Sequence, residues 1–102
     1  MDRIALLSQV LEQNPTDAFA RYGLAMAFVS EGKADEALEQ FTTLLGHNPD
    51  YVPAYQMSAQ TLAKQGRSDE AIERLKTGLE AARRTGNQHA LSEMQGMLDE
   101  LS

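Results

Sequence analysis

The side chains able to do chemistry are few and scattered. His47 and His89 each stand without a partner at metal-ligand spacing. His47 falls at an expected helix end, where a cation suits the helix dipole. Ser8, Ser30, Ser58 and Ser92 have no His or Lys arranged to activate a hydroxyl. Two acidic groups, Asp35-Glu36-Glu39 and Asp69-Glu70-Glu73, have the composition of paired carboxylates or a cation site. Both fall on helix starts and recur with one period, which fits a solvated scaffold face. Gly32 and Gly66 are isolated helix stops rather than a phosphate-cradling loop. No Cys is present, so thiolate chemistry and disulfides are absent. The residues predict no enzyme, no metal and no cofactor.

The totals narrow the partners. The 102 residues suit one domain with one continuous core. A net charge of −6 disfavours nucleic acid, whose nonspecific affinity needs a Lys/Arg surplus, and equally an anionic membrane surface. The Ile4-Ala5-Leu6-Leu7 run is far shorter than the ~18 apolar residues of a membrane span. A cytoplasmic protein is expected.

Helical periodicity runs through the whole chain. Ile4, Leu7, Val10 and Leu11 form one stripe over residues 2 to 13, and Asn14-Pro15 ends it. Thr16 or Asp17 can cap a second helix over 18–31, which Gly32 stops. A third helix, 34–47, carries Leu38, Phe41, Leu44 and Leu45 and meets Asn48-Pro49. Asp50 is the expected cap of a fourth, 52–65, with Pro53 in its first turn and Gly66 at its end. Ser68 is the expected cap of a fifth, which carries Ile72, Leu75 and Leu79 and reaches Thr85. Gly86-Asn87 breaks the chain before a sixth, 88–101, with Leu91, Met94, Met97, Leu98 and Leu101. No segment alternates as a strand does.

The helices repeat. Gly32-Lys33-Ala34-Asp35-Glu36-Ala37-Leu38-Glu39 returns 34 residues on as Gly66-Arg67-Ser68-Asp69-Glu70-Ala71-Ile72-Glu73. Ile4, Leu38 and Ile72 keep the same spacing of 34, as do Leu7, Phe41 and Leu75, and Leu11, Leu45 and Leu79. Such a period means stacked helical units. The first helix is then the second half of a repeat. A shift of 36 makes the sixth helix a first half, with Leu91 under Tyr55, Met94 under Ser58 and Leu98 under Leu62.

The pattern resembles the tetratricopeptide repeat, with its W-x2-L-G-x2-Y, A-x3-F and P signature. Leu24, Ala25, Phe28, Ala37, Phe41 and Pro49 fill that signature once, with Arg21 in the Trp place. Tyr55, Ala59, Leu62, Ala71 and Leu75 fill it again, with Ser58 and Arg83 in the Leu and Pro places. The resemblance implies an all-α, right-handed α-solenoid of stacked antiparallel helix pairs, about six helices in a single domain, 1–102. Its parts are a half repeat (1–14), two repeats (18–51 and 52–85) and a capping helix (86–102). Small residues at Ala25, Ala37, Ala59 and Ala71, and Gly78 in the fifth helix, allow close helix approach.

The family resemblance also implies a concave wall built from first-half helices. By helical spacing its free side chains are Phe19, Tyr22, Met26 and Val29, then Gln56, Gln60 and Lys64, then Ser92 and Gln95. An apolar strip beside amides reads as a peptide-binding groove, although Tyr22 and Met26 have the alternative of covering the first or the fourth helix. Some members grip a terminal carboxylate with Lys and Asn, but Tyr22 and Met26 occupy those places here, so no such clamp is expected. Arg83-Arg84 either offset a helix dipole or meet an acidic partner. The expected function is a non-catalytic protein–protein interaction scaffold binding a peptide or helix of a partner. The alternative is self-association as a homodimer through the terminal helices, with Leu6 and Val10 on the outer side of the first helix. An RNA-binding array of the related pentatricopeptide kind conflicts with the 34-residue spacing and the negative charge.

Overall fold

A computed structural model describes residues 2–102. Among them are six α-helices and no strand: α1 Arg3–Gln13, α2 Ala18–Ser30, α3 Ala34–His47, α4 Val52–Lys64, α5 Ser68–Thr85 and α6 Gln88–Leu101. They group into two compact units, one ending at Asn48 and one running from Pro49 to Ser102.

In the first unit α2 packs on both α1 and α3. Asp2 caps α1 by accepting from the Ala5 amide at 2.9 Å. Asp17, rather than Thr16, caps α2 through the Ala20 amide at 3.0 Å. Gly32 ends α2 at φ +73°, a conformation that Cβ-bearing residues avoid. The Lys33 amide then closes back on the Phe28 carbonyl at 2.9 Å. Leu11, Ala20 and Leu24 form a buried cluster, with Ile4, Leu7 and Phe28 against it. Ala25, Ala37, Phe41 and Leu44 are buried as well. Of the expected α1 stripe Ile4, Leu7 and Leu11 pack inward, while Val10 lies on the exposed side. Arg21, standing where the signature has Trp, donates to Gln40 Oε1 at 2.6 Å and to the Pro15 carbonyl at 3.0 Å. A polar bridge from α2 to α3 and to the preceding turn replaces the packing of an indole.

In the second unit α5 packs on both α4 and α6. Two expected caps are corrected. Tyr51, not Asp50, occupies the cap position of α4, and its side chain makes no capping bond. Asp50 has a stronger partner: its carboxylate accepts from Arg84 Nε at 2.6 Å, a charge-assisted bond. Ser68 is the first residue of α5, and Arg67 takes the cap place without a side-chain bond. The turn that ends α4 sets this, because the Arg67 amide is already spent on the Leu62 carbonyl at 3.0 Å. Lys33 stands in the same way before α3. Acidic residues in the first turns, Asp35-Glu36 and Asp69-Glu70, meet the helix dipole in place of a cap. Ser58 is buried where the signature has Leu, and its hydroxyl donates to the Ala54 carbonyl at 2.5 Å, within its own helix.

Tyr55 joins packing to pH. Its hydroxyl donates to the Pro49 carbonyl at 2.7 Å, and burial raises the phenol's pKa above the ordinary 10.0, partly opposed by nearby Arg84 and Arg74. A raised folded-state value means that the native fold favours the neutral phenol. Its contribution is fully present below pH 10.0 and is lost as pH climbs through the raised value. Denaturant titrations should therefore show stability falling above that pH. Tyr55→Phe should cost about 1 kcal/mol at neutral pH and flatten the alkaline decline. An unchanged decline in the variant would assign it to other groups.

Candidate functional site

The expected binding residues fall into separate sets. Phe19, Tyr22, Met26 and Val29 share one side of α2, in the first unit. Phe19 is 81% exposed, the most exposed large hydrophobic residue of the described chain. Tyr22, Met26 and Val29 are half-buried. The Tyr22 ring leans on Phe41, with centroids 6.1 Å apart and planes tilted by 59°. The ring thus covers α3 rather than the first or fourth helix, and the contact holds it in place while leaving part of it reachable. The strip is thus an apolar line on a rigid helix, free at one end and braced in the middle.

Gln56, Gln60 and Lys64 recur every four residues along α4, in the second unit. Gln56 donates to Glu93 Oε1 at 3.2 Å, so one amide is already tied to α6. Glu93 also lies 3.2 Å from His89 Nε2. Helical periodicity alone shows neither link, although His89 and Glu93 stand four residues apart on one helix face. Gln60 is half-buried and Lys64 exposed.

Ser92 and Gln95 are exposed on α6 and help line an open groove of about 450 Å³. Arg83 from the end of α5 and Gln88, Leu91, Gly96 and Asp99 of α6 complete it. The sequence leaves Arg83 either offsetting a helix dipole or meeting an acidic partner; its place on this groove depends on the helix turn after α5. Arg84 belongs to the scaffold, through Asp50. That hydrogen bond raises its pKa further.

The chemistry-bearing side chains are spoken for or dispersed. Glu70 accepts from Arg67 at 2.8 Å, which lowers its pKa, and Glu73 lies 3.6 Å from Lys76. Burial lowers the Arg74 pKa, against the pull of Tyr55 and Glu70. Among the described residues no group of three or more His, Cys, Asp or Glu could hold a metal ion. No described helix is long and apolar enough to cross a membrane.

Two tetratricopeptide repeat family models match the sequence, one over residues 28–94 and the other over residues 1–52. The chain belongs to the tetratricopeptide repeat family. It is similar to a tetratricopeptide repeat domain protein from Salinibacter ruber, solved by NMR, with 35% identity and a TM-score of 0.82 over 87% of this chain and 90% of that one. The TPR2B domain of yeast Sti1, solved in complex with pHsp70, superposes with a TM-score of 0.89 at 17% identity, over 96% of this chain and 78% of that one. PcrH, solved in complex with the chaperone binding region of PopD, gives 0.90 at 15% identity, over 96% and 74%. At such identities the likeness is one of fold. No curated protein matches the sequence. The tetratricopeptide repeats here supply the small-residue positions Ala25, Ala37, Ala59 and Ala71, all fully buried as close helix packing requires.

Proposed function

We propose that this tetratricopeptide repeat chain is a non-catalytic, cytoplasmic interaction scaffold that binds a peptide or helix of a partner protein. The first-half helices supply the contacts, as in a concave groove of this family. Phe19, Tyr22, Met26 and Val29 are the apolar anchors, and Gln56, Gln60 and Lys64 are the polar contacts. The observation that carries the reading is the α2 strip: an 81% exposed Phe19 in line with a Tyr22 ring braced on Phe41. Water-facing aromatic and Met side chains on a rigid element are what binding hot spots are made of. That the same fold was solved in PcrH with the chaperone binding region of PopD, and in Sti1 with pHsp70, supports it.

The test is capture of partners by the wild-type chain beside Phe19→Ala and Tyr22→Ala/Met26→Ala. Phe19 is so exposed that its truncation should leave the melting curve unmoved. Loss of an anchor should weaken a groove ligand about tenfold or more. Partners held equally by all three proteins would defeat the α2 assignment.

A further inference from the structure

The internal repeat shows what covers a second-half helix. In α3 and α5, Gln40 and Arg74 correspond at a spacing of 34, as do Leu44 and Gly78. These places look toward the first-half helix of the same pair. Gln40 accepts from Arg21 of α2 at 2.6 Å. Gly78 lies so near α4 that a Cβ there would sit 2.7 Å from Tyr55 Cβ. On α1 the corresponding places, 34 residues earlier still, hold Leu6 and Val10. They are apolar, yet 52% and 38% exposed.

A complementary surface lies on α6. A shift of 36 aligns α6 with the first-half helix α4, pairing Leu91 with Tyr55 and Met94 with Ser58. Burial agrees, because Met94 and Ser58 are both fully enclosed. The Tyr55 place differs. Tyr55 is covered by α5 at Gly78, whereas Leu91 opens onto the groove of about 450 Å³ with Arg83, Gln95 and Asp99. The groove thus lies where a second-half helix would pack.

We propose that α1 of one copy docks antiparallel in the α6 groove of a second copy, forming between two molecules the kind of helix pair that α4 and α5 form within one. Leu6 and Val10 then meet Leu91, apolar against apolar, at the place where Gln40 meets Arg21 within the chain. The antiparallel direction is the one that Tyr55–Gly78 and Asp50–Arg84 fix for α4 and α5. It brings the start of α1 toward the Asp99 end of the groove and the end of α1 toward the Arg83 end. The two surfaces differ, so each copy offers one of each, and association proceeds until the free pair meets in a closed dimer or a larger ring.

The test is sedimentation of the 102-residue chain and two variants, Val10→Asp and Leu91→Asp, over about a hundredfold concentration range. Wild type should grow in mass to a dimer or a larger closed assembly as concentration rises. Each variant alone should stay monomeric, because one of its two surfaces is blocked. Their equimolar mixture should form a one-to-one dimer, since Val10→Asp keeps its groove and Leu91→Asp keeps its α1 face. Circular dichroism checks the fold; if Leu91→Asp loses helicity, Gln95→Arg at an exposed groove position takes its place. A wild type that remains monomeric would overturn the proposal, as would a mixture that stays monomeric. Dimers of Leu91→Asp beside monomers of Val10→Asp would also overturn it, by showing a symmetric α1–α1 contact.

Discussion

Phe41→Ala should cost about 3–5 kcal/mol, as large-to-small changes in aromatic core residues do. Phe41 is fully buried at the centre of α3. Its removal takes away both the transfer energy of a ring and the contacts that line the space it leaves. For a domain of about 100 residues each kcal/mol shifts the melting temperature by ~4–8 °C, so a fall of well over ten degrees is expected. The loss should be local as well as large. Phe41 lies in the unit that ends at Asn48, so amide exchange should accelerate first in α1, α2 and α3. The Tyr22 ring leans on Phe41 and should loosen with it, coupling a core residue to the proposed binding strip. Phe41→Leu keeps most of the volume and should cost visibly less. A melt of Phe41→Ala that matches wild type, or exchange that speeds up only in α4 to α6, would show that this ring does not hold the first unit together.

The helices were legible because their stops are local. Gly32, Gly66 and Gly86 adopt positive φ where each helix turns, and Asn-Pro pairs mark two other breaks. The spacing of 34 then carried the stripe from one unit to the next, and Leu75 and Phe41 are fully buried in register. Caps were less legible. A Ser or Asp near a helix start is a cap only when nothing better binds it and when the preceding turn leaves room. Asp50 is taken by Arg84, and Ser68 falls one place too late because Gly66 and Arg67 are used to close α4. The spacing rule placed Phe19, Tyr22, Met26 and Val29 on one side of α2, yet it could not divide them. Phe19 stands clear of the fold, while Tyr22 is half committed to Phe41, a contact set by how α2 and α3 cross. The Arg21–Gln40 bridge was invisible for the same reason, since it needs two helices at once. The α6 groove needed the direction of the α5–α6 turn, which no periodicity contains.

Two glycines in neighbouring helices should respond to Ala with opposite signs. In a helix interior Gly costs up to about 1 kcal/mol against Ala, so propensity alone favours both changes. At Gly96 nothing lies within 4 Å of a new Cβ, and Gly96→Ala should stabilise by about 0.5–1 kcal/mol. At Gly78 a Cβ would stand 2.7 Å from Tyr55 Cβ and 2.8 Å from Met94 Sδ. The thioether can swing aside. Tyr55 Cβ cannot, because it is joined directly to the α4 backbone, and its ring is tethered through the Pro49 carbonyl. Either α4 moves away from α5 or the tyrosine leaves its rotamer, and overpacking of this kind costs about 1–3 kcal/mol, occasionally more. Steric cost therefore exceeds the propensity gain at Gly78, and Gly78→Ala should lower the melting temperature while Gly96→Ala raises it. The pair also controls for the denatured chain, because the loss of backbone freedom on Gly→Ala is the same at both positions. A Gly78→Ala variant as stable as Gly96→Ala would mean that α4 and α5 stand farther apart than the Tyr55–Gly78 contact requires, and the packing that defines the second repeat would fall with it.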